Sequence, residues 1–128
     1  MTQEQLNALS YKIIGAAIEI HKELGPGLLE SVYEACLVEE LRIQGIKAEQ
    51  QVMLPIIYKG KKLSKTYIVD ILVEGIIIIE LKCVEELKPV HEVQVVTYLK
   101  LANKRLGYLM NFNVPKMVQG IKRKVNNF

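Results

Sequence analysis

The sequence predicts an α/β fold in which helices flank a mixed central β-sheet. Apolar side chains recur at helical spacing through the first 44 residues, and residues 47–82 change to the period of strands. A further helix and strand follow, so the order is helix, helix, three strands, helix, strand. At 128 residues the chain has the length of one domain, which we expect to span residues 1–128.

The N-terminal third predicts two helices. Thr2 and Gln5 have the spacing of a capping box, which marks the start of a helix. Apolar residues then follow at intervals of three and four from Leu6 to Leu24. Gly25-Pro26-Gly27 should end this first helix, and a second is expected from about Leu28 to Gln44.

The rest of the chain predicts strands around one further helix. Three strands are expected, over residues 51–58, 63–73 and 76–83. The third is apolar on both faces and should therefore be central and covered on both sides. Pro89 suits the first turn of a helix that runs to about Ala102. Residues 106–112 predict a fourth strand, while the tail from Pro115 fits a short helix or a strand equally well.

Composition excludes several classes of protein. Half of the residues are hydrophobic and 24% are charged, which is typical of a globular domain. The longest aliphatic run, Ile76–Ile79, is far shorter than the roughly 20 residues that span a bilayer. The polar start does not resemble a signal peptide, and Cys36 and Cys83 have neither metal-ligand nor disulfide spacing. These features predict a reduced, cytoplasmic protein without membrane segments.

Positive charge is concentrated in two places. The first 92 residues hold fourteen acidic and ten basic side chains, whereas the last 36 hold seven basic and no acidic ones. A smaller cluster consists of Lys59, Lys61, Lys62 and Lys65. Such clusters suit a polyanionic partner, because Lys and Arg contacts to phosphates release counterions from nucleic acid. They are also typical of the solvated surface of a soluble protein, and charge alone favours that interpretation.

Three charged residues interrupt the apolar strands. Asp70 lies within Tyr-Ile-Val-Asp-Ile-Leu-Val, and Glu80 and Lys82 end the run Ile-Ile-Ile-Ile-Glu-Leu-Lys. Strand alternation points Glu80 and Lys82 to the same face. A buried carboxylate is costly unless it is paired or bound to a metal. A metal site would explain this pattern, as would a buried ion pair or a strand end that emerges into water.

In this order, these residues resemble a known family. An Asp followed about ten residues later by Glu-x-Lys is similar to the motif of the PD-(D/E)XK nuclease superfamily, with Val69 in place of its proline. The chain resembles more closely the small prokaryotic proteins named for a GxxExxY motif, which Gly27–Tyr33 reproduces. The resemblance continues through Ile79–Lys82, Pro89–Glu92 and Asn111-Phe112, and so covers nearly the whole chain.

The resemblance implies a restriction-endonuclease-like core and a metal site. Asp70, Glu80 and the backbone carbonyl of Leu81 would hold a divalent ion, Mg²⁺ or in its place Mn²⁺. Such an ion supplies Lewis-acid chemistry, polarising the scissile phosphate and lowering the pKa of a bound water. Glu30 would join the metal ligands, although a Glu here could simply stabilise a helix N-terminus. Lys82 would orient the attacking water or neutralise charge that develops on the phosphate.

The resemblance also assigns a role to Gln94, Tyr98 and Tyr33. Gln94 and Tyr98 stand four apart and share a helix face. The resemblance implies that they, together with Tyr33, bind substrate or support the site. Gln and Tyr are also ordinary residues of an amphipathic helix. His21, on the first helix, is expected to be structural.

The sequence is compatible with two main functions. The first is a Mg²⁺-dependent nuclease acting on nucleic acid, DNA rather than RNA, with a homodimer possible. The second is a non-catalytic nucleic-acid-binding or regulatory module on the same fold. The intact set Asp70, Glu80 and Lys82 favours the first. An unrelated α/β protein with a buried ion pair is a third, weaker interpretation.

The metal site sets a condition on the hairpin that joins the second and third strands. Opposed residues in an antiparallel pair have numbers with a constant sum, and Asp70 and Glu80 face the same way only if that sum is even. A two-residue turn at Glu74-Gly75 would make it odd. We therefore expect a three-residue loop, with Val73 opposite Ile77, or a bulge with the same effect.

Overall fold

The computed structural model describes residues 1–128 and contains three α-helices, one short 3-10 helix and five strands. The helices are α1 (Gln3–Leu24), α2 (Glu30–Ile43) and α3 (Pro89–Ala102), and the 3-10 helix spans Met117–Gly120. The strands are β1 (Ala48–Tyr58), β2 (Lys61–Val73), β3 (Ile77–Lys82), β4 (Leu106–Asn111) and β5 (Ile121–Val125). The predicted third helix has these same bounds. The ambiguous tail forms both a 3-10 turn and a strand.

The five strands form one sheet in the order β1-β2-β3-β4-β5. Only β3 and β4, which α3 connects, are parallel, and the other neighbouring pairs are antiparallel. The predicted α/β fold with a mixed sheet flanked by helices, the restriction-endonuclease-like architecture, is confirmed. Every residue of β3 from Ile77 to Leu81 is buried, as expected for a central strand.

Helices cover both faces of this sheet. A larger core lies under α1 and α2, and it takes up Ile71, Ile77 and Ile79 from the central strands. A smaller core lies under α3. There a Cβ atom on Gly107 would stand only 3.1 Å from Val95 Cγ1 and 3.2 Å from Leu99 Cδ2, so a glycine at this position lets α3 approach the sheet closely. None of the helices is long and apolar enough to cross a membrane.

The hairpin between β2 and β3 has the predicted three-residue loop. Val73 pairs with Ile77 and Ile71 with Ile79, so the register sum is even. Glu74 and Gly75 have φ angles of +53° and +68°, the left-handed conformation in which glycine carries no steric cost. Lys104 Nζ donates to the Gly75 carbonyl at 2.8 Å and ties the loop to the neighbouring chain segment. The condition for bringing the two carboxylates together is met.

Candidate functional site

The site lies where β2 and β3 separate. Their ladder ends at the pair Ile71–Ile79, and side chains take over the backbone hydrogen bonds beyond it. The Asp70 N–H donates to Glu80 Oε1 at 3.2 Å, and the Leu81 N–H donates to Asp70 Oδ2 at 2.8 Å. The structure thus brings Asp70 and Glu80 together on adjacent strands and holds both carboxylates in place.

The ionised form of the Glu80 carboxyl is destabilised by its surroundings. It is 8% exposed, and burial raises its pKa to about 8, with a further contribution from the Asp70 carboxylate. The Asp70 N–H and the Lys82 ammonium favour the ionised form and partly offset these effects. A cation placed between the two carboxylates would remove the like-charge repulsion, so the pair is suited to bind one.

The donor atoms fit a hard divalent ion. Mg²⁺ prefers oxygen ligands, and many proteins hold it with one or two carboxylates while waters and substrate phosphates complete its coordination. Asp70 and Glu80 provide two such carboxylates. No group of three or more His, Cys, Asp or Glu side chains is arranged to hold a metal, so Glu30 is not gathered with them as a third ligand.

Glu30 lies at the rim of the site. It is the first residue of α2 and is exposed, which leaves its side chain room to rotate. Partial desolvation and the Asp70 carboxylate raise its pKa, whereas the Lys82 ammonium lowers it. The charges of Asp70 and Lys82 therefore act on the Glu30 carboxyl, although Glu30 forms no hydrogen bond with either residue.

Tyr33 supports the helix that carries Glu30. Its side chain is fully buried and stacks on Phe112, with ring centroids 4.4 Å apart. Its hydroxyl donates to the Gly25 carbonyl and accepts the Leu28 N–H at 3.2 Å. A buried ring with both hydroxyl functions occupied does not reach a substrate. These contacts position the α1–α2 loop, and the predicted support of the site by Tyr33 stays a prediction.

Gln94 and Tyr98 are residues of α3, and Tyr98 packs against the smaller core. Gln94 Nε2 donates to the Tyr98 hydroxyl at 2.8 Å, so the predicted pair is in contact. Tyr98 stacks on Tyr67 of β2 with ring centroids 4.5 Å apart. Burial raises the pKa of both phenols, that of Tyr67 to about 12, and Glu80 contributes to both shifts. Tyr67 is thus a residue of this site that sequence patterns did not single out.

Sequence patterns did not indicate two further polar residues near Asp70. Glu34, one turn after Glu30 on α2, is buried and accepts from Gln50 Nε2 at 2.9 Å and Gln51 Nε2 at 2.8 Å. Gln51 Nε2 also lies 3.3 Å from Asp70 Oδ1. The spacing of four from Glu30 was the one signal that could have indicated Glu34. No local pattern indicates Gln51, because its contacts depend on strand register.

Gln51 has an unusual backbone for a strand residue. Its neighbours pair regularly with β2, Gln50 with Ile71 and Val52 with Val69, which places Gln51 level with Asp70. Its φ angle is +51°, in the left-handed region that residues with a side chain seldom adopt. Side-chain alternation shifts here too: Ile71 packs in the larger core but Val69 in the smaller one. The irregularity therefore coincides with the point where Asp70 leaves the ladder.

A pair of substitutions can isolate the cost of this backbone conformation. Gln51→Gly and Gln51→Ala both remove the amide, but only glycine adopts a positive φ freely. We expect the glycine variant to be more stable than the alanine variant by about 1 kcal/mol. Chemical denaturation measures the difference, and the same two substitutions at exposed Lys65 provide the control. A glycine variant no more stable than the alanine variant would contradict the left-handed conformation.

Both histidines have structural roles. The His21 ring is buried, and its Nε2 lies 2.8 Å from the Val114 carbonyl oxygen, which fits the role predicted for it. His91 Nδ1 accepts the Lys88 N–H at 3.0 Å and caps the start of α3. Neither residue contacts the carboxylate pair.

The C-terminal basic cluster is largely engaged within the protein. Arg105 donates to the carbonyls of Met1 and Phe128, and Arg123 donates to the Tyr108 hydroxyl at 2.7 Å. Lys124 forms an ion pair with Glu92 at 2.6 Å. Lys104, which follows α3, donates to the Gly75 carbonyl of the β2–β3 loop. Much of the charge asymmetry in the sequence therefore stabilises the fold.

Comparison with known proteins agrees with this architecture. A solved structure titled "Crystal structure of SSO0001" is similar over 77% of this chain and 51% of that chain, with a TM-score of 0.56 and 20% identity. The chain thus spans about half the length of that structure, and the likeness concerns the fold. No curated protein matches the chain. A family model of the PD-(D/E)XK nuclease superfamily matches residues 7–124, and the chain belongs to that superfamily.

Proposed function

We propose that this protein is a metal-dependent nuclease that hydrolyses phosphodiester bonds at the Asp70–Glu80 site, with DNA rather than RNA as its substrate. Membership of a nuclease superfamily implies a nucleic-acid substrate. The observation that carries the proposal is a pair of backbone-to-carboxylate hydrogen bonds, from the Asp70 N–H to Glu80 and from the Leu81 N–H to Asp70. They fix the two carboxylates side by side where β2 and β3 separate. Mg²⁺ is the proposed ion, with Mn²⁺ as its substitute.

Each residue of the site has a proposed task. Asp70, Glu80 and the Leu81 carbonyl bind the ion, which supplies Lewis-acid chemistry to the phosphate. Glu30 reaches toward it from the rim by rotation of its exposed side chain. Lys82 is only partly buried, and it favours the ionised forms of Glu80 and Glu30. Its ammonium is therefore near enough to orient a water molecule or to neutralise charge developing on the phosphate.

We also infer membership of the GxxExxY group within the superfamily. The structure gives each motif position of this chain a physical reason. Gly27 has a φ angle of +100°, which a residue with a side chain adopts only under strain. Glu30 lies at the rim of the site, and Tyr33 fastens the loop before α2. The motif thus builds the loop and helix that bring Glu30 toward Asp70.

The alternative is a nucleic-acid-binding or regulatory module on the same fold without hydrolysis. Asp70, Glu80 and Lys82 favour catalysis, because a site that only binds phosphate has no need for two adjacent carboxylates. The two functions differ in one outcome. A nuclease cuts duplex DNA when Mg²⁺ is supplied and stops with a chelator, whereas a binding module retains DNA without cutting it.

The test of the metal site is an Asp70→Asn variant, which keeps the shape of the side chain but removes its charge. Calorimetric titration with Mn²⁺ should show the affinity falling by at least about 100-fold, since residues that merely orient metal ligands already contribute about 10–100-fold. Cleavage of plasmid DNA should be lost in parallel. Glu19→Gln, an exposed acid on α1, provides the matched control. Unchanged Mn²⁺ affinity in Asp70→Asn would refute the metal assignment.

A further inference from the structure

The hairpin between β1 and β2 extends beyond the rest of the molecule. Ten consecutive residues, 57–66, are exposed, and we call this segment the arm. The third strand pairs with β2 only at residues 71–73, so no strand flanks the arm beyond its own hairpin. Ile57 and Tyr58 are 41% and 59% exposed. The arm is therefore a two-stranded ribbon with both faces open to solvent.

The arm carries the basic cluster that the fold does not use. Its lysines are Lys59, Lys61, Lys62 and Lys65. None of them forms an ion pair or a side-chain hydrogen bond, in contrast to four residues of the C-terminal cluster, Lys104, Arg105, Arg123 and Lys124. There is also no acidic residue between Glu49 and Asp70. The arm thus has four cationic groups and no counter-charge along its strands, a surface that is complementary to a polyanion.

The arm is connected to the carboxylate site by β2, which carries both. The ladder is irregular where residues 63–65 of β2 lie opposite the single residue Ile56 of β1, so the span from Asp70 to Lys62 is measured along β1, from Gln51 to Ile57. These six residues advance about 20 Å at the rise of an extended chain, which corresponds to about 6 base pairs of a DNA duplex. The major groove of B-form DNA is wide enough to admit a two-stranded ribbon, whereas that of duplex RNA is narrow and deep. These dimensions favour duplex DNA as the partner.

We propose that the arm grips the phosphate backbone of duplex DNA about 6 base pairs from the position where the carboxylate site acts. The position relative to the cut rests on the proposed function, but the grip itself does not. The lysines hold the duplex by charge, and the exposed Ile57 and Tyr58 add contact area to sugars and bases. The arm thereby takes the role of a substrate-holding element within one small chain.

Binding is tested with the full chain in the presence of a chelator, so that cleavage plays no part. A variant with all four arm lysines replaced by glutamine should bind a 30-base-pair duplex at least about 10-fold more weakly at low salt. The slope of log affinity against log salt concentration should become shallower by about two to four, since each phosphate contact contributes about 0.9 to that slope. The control variant replaces four exposed lysines elsewhere, Lys12, Lys22, Lys47 and Lys116.

Several outcomes would overturn the proposal. Equal affinity of the arm variant and the wild type is one, and an equal loss in the control variant is another. Tighter binding of duplex RNA than of duplex DNA, or binding only to phosphatidylserine vesicles, would assign the arm to a different partner. If the lysines merely prevent the exposed strands from pairing with other chains, the variant will aggregate on concentration yet keep its DNA affinity.

The position of the grip has its own test. A photo-crosslinking group at residue 62 should attach to DNA about 6 base pairs from the site of cleavage. Crosslinks at the cleaved step itself would refute the geometry. If the wild type does not cut DNA but its binding still depends on the arm, the proposed nuclease function fails and the grip stands. If the wild type cuts DNA but the arm variant binds DNA as tightly as the wild type does, the proposed grip fails and the nuclease function stands.

Discussion

Lys82→Ala is expected to lower the rate of DNA cleavage by at least about 100–1,000-fold, the loss typical when a group that stabilises transition-state charge is removed. The Mn²⁺ affinity should change little, because the ammonium acts on water or phosphate and is not a metal ligand. Rates are measured on a defined duplex with Mg²⁺, and affinity by calorimetry on the same preparation. The two readouts separate a catalytic role of Lys82 from a role in metal binding.

Two controls separate a catalytic effect from a loss of activity that is caused by unfolding. Lys12→Ala removes an exposed lysine from α1 and should retain full activity. Lys82→Ala should remain folded, because Lys82 lies at the end of β3 and is only partly buried. If purified Lys82→Ala still cuts DNA at the wild-type rate, the reaction takes place elsewhere on the protein and the assignment of this site is wrong.

Glu80→Gln is expected to make the metal-free protein more stable at high pH. Glu80 has a pKa of about 8 in the folded protein, against 4.5 as the ordinary value. The folded state therefore retains a proton that the unfolded chain releases, and the free energy of unfolding falls as the pH rises from about 4.5 to about 8. The loss amounts to about 1.4 kcal/mol per unit of pKa difference and is complete above the higher value.

Glutamine cannot ionise, so the variant should lack this part of the pH dependence. We expect its unfolding free energy to exceed that of the wild type by a few kcal/mol at pH 9, and the difference to disappear below pH 4.5. Urea denaturation at several pH values measures it, with Glu19→Gln as the exposed control. Added Mn²⁺ should restore wild-type stability at high pH, because an ion that binds the folded state stabilises it. Parallel pH profiles for wild type and variant would contradict the buried, charge-repelled environment of Glu80.

Helical periodicity, caps and strand alternation determined most of the fold. The capping box of Thr2 and Gln5 forms as predicted, and α3 has the predicted bounds, because both depend on interactions within a few residues. The run Ile76–Ile79 indicated a central strand because apolar side chains on both faces require cover on both sides. The tail could not be predicted, since β5 is fixed by its pairing with β4 rather than by local preference.

Sequence patterns alone predicted the residues of the candidate site, because charged side chains in apolar strands are rare enough to be informative and their spacing resembles a family motif. The three-residue hairpin loop followed from strand parity once Asp70 and Glu80 were required to face the same way. The other residues around the two carboxylates depend on tertiary packing. Tyr67, Glu34 and Gln51 reach the site through strand register and helix packing, and the C-terminal basic residues are engaged by contacts distant in sequence. Such contacts join residues that are distant in the sequence, and local sequence patterns do not indicate which distant segments will pack together.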